Sequence, residues 1–137
     1  MVQDGKVKDK SNNKKFILDI ARIINLYKPS KIFTHSIQDI HSDHNSTHEA
    51  VIKALDIIDK KKNISVYSFE VWNIINETNP RMYVDVSKTF STKIKAMKMF
   101  NSQKLYVYLL YFHVFIRAFF SGFHAKCRYA ERFYKVR

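Results

Sequence analysis

The stretch "HSIQDIHSDHNSTHEA", His35 to Ala50, gathers four of the six histidines of a 137-residue chain, together with Asp39, Asp43 and Glu49. Imidazoles and carboxylates are the donors of a zinc-type metal site, and a histidine beside a carboxylate is also the usual proton-transfer pair. His41 and His44 stand three apart across an expected strand-to-helix turn, and His44 and His48 stand four apart on the helix. Either pair could bring two imidazoles to one ligand. Asp39 and Asp43 are near enough to accept from a ring N–H and fix its tautomer. The same spacing also suits a solvated loop running into a helix, and two histidines alone leave a zinc site one or two ligands short. His113 and His124 sit in apolar or basic surroundings and read as packing residues.

These residues need elements to hold them. Phe16, Ile20, Ile23/Ile24 and Tyr27 recur at helical spacing, and Pro29 ends that helix because the residue before proline avoids helical backbone. "KIFTH" is short and partly β-branched, a strand ending at His35. Ser42 or Asp43 is expected to cap a helix from about His44 to Lys60, with Thr47, Val51, Ala54/Leu55 and Ile58 facing inward. "ISVYSFEVW" and "MYVDV" read as strands, separated by a polar loop that runs through Pro80. Ser87 is expected to cap a helix carrying Phe90, Ile94, Met97 and Phe100 on one face. Residues 105–120 form the most apolar run, and the tail "CRYAERFYKVR" reads as a short helix followed by an extended end. Strands alternating with helices predict an α/β fold with a parallel sheet, whose functional groups collect where strand C-termini pass into loops.

Composition narrows the classes. At 46% hydrophobic the chain can build a core, and its length suits one domain. A single cysteine, Cys127, excludes an internal disulfide framework and reads as a buried free thiol in a reducing compartment. The N-terminal "MVQDGKVKDKSNNKK" lacks the apolar core of a secretory signal. Lys and Arg exceed Asp and Glu by 24 − 12 = 12. The excess is concentrated in residues 87–137, with eleven basic side chains against Glu131 alone. Such a face suits an anionic membrane surface or nucleic acid, or is simply a solvated lysine-rich surface. Aromatic residues interleave with basic ones in "FHAKCRYAERFYK", which favours a nucleic-acid module as the rival reading. The run 105–120 is short of the about 20 apolar residues that span a bilayer, and it contains His113 and Arg117.

"THSIQDIHSDHNSTHEAVIKAL" resembles the second conserved motif of the PIG-L/LmbE-like zinc-dependent N-deacetylases, roughly T-H-x-x-x-D-x-H-x-D-H followed by a helix. "DGKVKD" is similar to the Asp-Gly turn that precedes it in the family. "RMYVDVSKTFSTKIKAMKMFNSQ" is similar to the family's YVDI-type strand, helix and closing Ser-Gln. "FFSGFHAKCRYAERFYKVR" is similar to its C-terminal Gly…YAE-x-F segment. The resemblance implies zinc-assisted hydrolysis of an acetamide, usually on an N-acetylglucosamine derivative free or lipid-linked. It makes His44 a zinc ligand. His41 becomes the histidine that stabilises the oxyanion and assists the departing amine, with Asp43 orienting it. His35 and Asp39 become supports of the loop. The family's first motif, A-H-P-D-D-E, supplies two further zinc ligands and the general base, and no such sequence occurs in these 137 residues. Ile37 and Ser42 also stand where relatives often carry proline. The expectation is therefore a single partial domain over 1–137, a Rossmann-like parallel sheet with flanking helices whose N-terminal strands are missing. Alone it would be inactive, and a missing N-terminal half would be its partner. The expected location is cytoplasmic or at the cytoplasmic face of a membrane.

Overall fold

The structure is a computed structural model that describes residues 13–70, 78–99 and 104–137, with side chains described outside 104–110. The elements run α1 (Lys14–Tyr27), β1 (Lys31–His35), α2 (Ser42–Ile58), β2 (Ser65–Phe69), β3 (Arg81–Asp85), α3 (Phe90–Lys98), α4 (Lys104–Ala125) and β4 (Ala130–Lys135). The strands hydrogen-bond in the order β1-β2-β4-β3. The expected α/β class with a parallel pair is what forms: β1 and β2 are parallel, from Lys31 opposite Ser65 to His35 opposite Phe69, with α2 as the crossover. The chain divides into two compact units, Met1–Pro80 with Tyr134–Arg137, and Arg81–Phe133.

The first unit carries the βαβ core. The Asn13 side chain accepts from the backbone N–H of Lys15 and Phe16, which starts α1. Lys28, in left-handed backbone at φ 45°, closes α1 by donating its N–H to the Ile24 carbonyl just before Pro29. Ala21 and Ile24 of α1 bury against Ala54 and Leu55 of α2 and Val66 of β2, with Ile17 and Ile20 packed around them. Ile20 and Ile24 thus face inward as expected, joined by Ile17 and Ala21, whereas Ile23 and Tyr27 are exposed. The α2 row through Val51, Ala54, Leu55 and Ile58 faces this core as its spacing requires.

At the far end of α2, Asp59 acts as a staple. Its carboxylate accepts from the backbone N–H of Asn63 (3.0 Å) and Ile64 (2.9 Å), and the Arg137 guanidinium lies 3.7 Å away and donates to the Asp59 carbonyl. The Ile64 bond first, then Asn63 and Arg137, holds the Asp59 carboxyl below the ordinary carboxylate range. The folded value is the lower one, so its stabilisation is complete above the unfolded carboxylate pKa. It is lost as pH falls through the folded value. Asp59→Asn is expected to lower the urea midpoint at pH 7 and to flatten its decline below about pH 4, since the residue no longer titrates. Equal midpoints at both pH values in the parent would contradict this.

In the second unit α3 is capped differently from the expectation. Ser87 does not cap it, and Thr89 takes that place without a side-chain bond. Ser87 instead donates to the Asp85 carboxylate and accepts from the Tyr129 N–H, tying the end of β3 to the start of β4. Phe90 is buried, stacked on Tyr129 at 4.4 Å. Phe100 lies outside the described residues, as do "DGKVKD", Val71, Trp72 and the Ser-Gln of "FNSQ". The tail is strand β4, not a helix: Ala130 and Tyr134, four apart, are buried. A period of two serves a strand as well as four serves a helix at that spacing, and pairing to neighbouring strands settles which forms. Cys127 is half-buried rather than buried. Loss of solvent and then Asp85 raise the pKa of its thiol, so it remains protonated at neutral pH.

Gly122 marks the tightest approach in this unit. A Cβ there would lie 2.7 Å from the backbone carbonyl oxygens of both Cys127 and Arg128. Alanine normally favours a helix interior over glycine by about 1 kcal/mol, but here it meets backbone that cannot rotate away. Gly122→Ala should therefore cost roughly 1–3 kcal/mol, read from the urea unfolding midpoint. A neutral or stabilised variant would show that α4 can shift.

Candidate metal and catalytic site

The site begins where β1 ends. Ser36, fully buried, accepts from the Gln38 N–H through its hydroxyl (3.0 Å), and its carbonyl accepts from the Asp39 N–H. Asp39, 3% exposed, accepts from the His41 N–H through Oδ1 at 2.9 Å. These short-range bonds turn the chain from strand to helix within six residues, as serine and aspartate side chains do in place of backbone partners. His41 sits at the N-cap position of α2 but its ring makes no capping bond, so the exposed imidazole is not committed to the helix. Asp43 is buried in the first turn, where a carboxylate suits the positive end of the helix.

The rings gather at the strand end. His35 stacks on His44 with centroids 3.9 Å apart and planes within 2°. His41 tilts against His44 at 4.7 Å, and Phe69, the register partner of His35, closes the other side at 4.9 Å. The Asp39 Oδ2 lies 3.0 Å from His44 Nδ1, off the line a hydrogen bond needs. Asp39 Oδ2, His44 Nδ1 and His35 Nδ1 are thus buried without a hydrogen bond. Each unsatisfied buried polar group costs about 1–3 kcal/mol. Burial first, then the neighbouring His44 and His41, push the His35 pKa below that of an ordinary histidine against the opposing pull of Asp39. His35 is therefore neutral at neutral pH.

His35, Asp39 and His44 each offer a ligand atom, all within 4.8 Å of one another, and they are the one such group of three among the described residues. Two imidazoles and a carboxylate are a zinc-type donor set, and the orphaned atoms are what a bound cation would satisfy. The stacking limits how. Lone pairs lie in the ring planes, and the planes of His35 and His44 are parallel, so a single ion cannot lie in both. The arrangement fits an ion through one ring, His44, with the Asp39 carboxylate 3.0 Å from its Nδ1. His35 and Asp39 then fix that ring's orientation.

The HxxxH spacing does not become a ligand pair. The buried His48 directs Nδ1 at the His35 carbonyl, 2.8 Å away. A carbonyl only accepts, so His48 carries its proton on Nδ1 and holds the end of β1 against α2. Spacing gives no sign of this role, because its partner lies thirteen residues away. Ser36 was equally unmarked, although a serine directly after a strand is the signal for such a turn. His113 and His124 are exposed rather than packed away.

The parallel βαβ unit thus sets histidines and a buried aspartate at a strand C-terminus, the position where α/β folds collect functional groups. The family model described as PIG-L: GlcNAc-PI de-N-acetylase matches residues 1–55, the segment that contains β1, the turn and most of α2. That match makes the segment around β1 and the following turn similar to the PIG-L family. Among solved structures, the fold is similar to that of GalB, the 4-carboxy-2-hydroxymuconate hydratase from Pseudomonas putida KT2440. The TM-score is 0.76 at 18% identity, over 91% of this chain and 59% of that one. The chain thus spans well under two thirds of that structure's length.

Proposed function

We propose that this chain carries the second-motif part of a zinc-dependent N-deacetylase site and forms the C-terminal part of one such domain, over residues 1–137. Its substrate is the acetamide of an N-acetylglucosamine-type sugar or glycoconjugate. The observation that carries the reading is the set of orphaned atoms on His35, Asp39 and His44, buried together beside the exposed ring of His41.

His44 would hold the metal, with Asp39 on its Nδ1 side and His35 stacked against its face. When bound, zinc supplies Lewis acidity that makes hydroxide available near neutral pH. His41 stands 4.7 Å from His44 with its ring uncommitted, where a protonated imidazole can stabilise the developing oxyanion. The same proton then passes to the departing nitrogen: water adds to the acyl carbon, the C–N bond breaks, and acetate and a free amine leave. Asp43 orients His41. The remaining zinc ligands and the base that takes the proton from water belong, in the family, to A-H-P-D-D-E. We place them in a segment or partner beyond these residues.

The test is zinc titration with amine release from an N-acetylglucosamine substrate. The 137-residue chain alone is expected to bind zinc weakly and to release no amine. Adding the N-terminal half of a relative, fused or in trans, is expected to restore both. Robust turnover by the unaided chain would overturn the reading.

A further inference from the structure

The second unit carries a surface that this chemistry does not use. On α4, Phe112, Phe119 and Phe123 follow at intervals of seven and four, which places them on one face, with Phe120 at its edge. Their exposure runs from 54 to 78%. His113, Arg117 and His124 repeat the same four-and-seven spacing along the adjoining row. The opposite row, Ala118, Ser121 and Gly122, is buried. A cavity of about 100 Å³ opens on the basic row, lined by Arg117, Phe120, Ser121, His124 and Arg132. Its polar lining consists of two guanidiniums, an imidazole and a hydroxyl, with no carboxylate, and Tyr83 stacks on the His124 ring at 5.7 Å.

From this we infer that α4 lies on an anionic phospholipid surface, its phenylalanines entering the boundary between headgroups and acyl chains and the cavity taking a headgroup phosphate. Charge complementarity selects this occupant. α4 contains no acidic residue, and residues 87–137 hold eleven basic side chains against Glu131, which is paired with Lys93. A contiguous exposed aromatic row is unusual on a surface that faces only water. An aromatic row beside a basic row is the pattern of helices that lie in a membrane interface. Phe120 belongs to both the aromatic edge and the cavity wall, so the acyl and phosphate contacts adjoin, as they do on a phospholipid. No helix among the described residues is long and apolar enough to cross a membrane. The inference is independent of the deacetylase site and is read without activity.

The experiment is flotation of the whole chain with phosphatidylcholine vesicles, with and without phosphatidylglycerol. The unmodified chain is expected to float with the anionic vesicles and stay behind with the neutral ones. Phe119→Ser with Phe123→Ser alters only exposed positions, and far-UV circular dichroism confirms the fold. That pair should lower the partition on the order of tenfold or more, as should Arg117→Gln with Arg132→Gln. Amide exchange on the unmodified chain adds a measurement that needs no variant: the amides of α4 should slow on anionic vesicles. Four results would each overturn the inference. They are equal binding to neutral vesicles, anionic binding untouched by the phenylalanine changes, a dimer broken by those changes with no vesicle binding, and binding of a single-stranded oligonucleotide with no vesicle binding.

Discussion

Zinc binding is expected to disappear when His44 is replaced by alanine in the protein completed with a first-motif segment. The His44 ring is held from two sides: Asp39 lies 3.0 Å from Nδ1 and His35 stacks at 3.9 Å. A full structural zinc site is worth about 10–16 kcal/mol, so loss of one of three protein ligands removes a large share of the binding. The neighbours separate this role from a merely structural one. Asp39→Ala should keep the metal but weaken it about 10–100-fold, the usual effect of removing a group that orients a ligand. A competitive chelator titration reads both. Zinc retained after His44→Ala, or lost equally after Asp39→Ala, would shift the ligand role to another residue.

His41→Ala in the same completed protein should leave zinc bound and lower kcat by roughly 10²–10³, the effect of deleting an oxyanion-stabilising group. The geometry separates the two histidines. His41 lies outside the group of converging ligand atoms and is exposed, whereas His44 is inside it and held from two sides. His41 also leaves helix start geometry alone, because its ring makes no capping bond, so its loss should not disturb α2. Amine release measured beside a metal titration distinguishes the outcomes. A fall in zinc affinity parallel to the fall in turnover would make His41 a ligand.

Much of the site was legible because its geometry is local. Residues 36–44 turn within one strand end and one helix start, so the spacing of Asp39, His41 and His44 already confines them to one corner. Pro29 and the periodic row of α2 likewise set element ends and the buried face through neighbours in sequence. What the residues alone could not decide depends on partners far along the chain. The stacking of His35 on His44 requires β1 to be held against α2, which His48 does through the His35 carbonyl. The tail became a strand because backbone partners were there to receive it: Val86 donates to the Tyr129 carbonyl, and Val66 donates to the Arg137 carbonyl and accepts from Val136. The same residues satisfy a helical spacing, and local pattern cannot choose between them. The apolar run 105–120 had the composition of a buried or docking helix. Only the packing of Ala118, Ser121 and Gly122 fixed which face turned inward and left the phenylalanines outside, because burial is a property of the neighbours a side chain meets and not of the side chain itself.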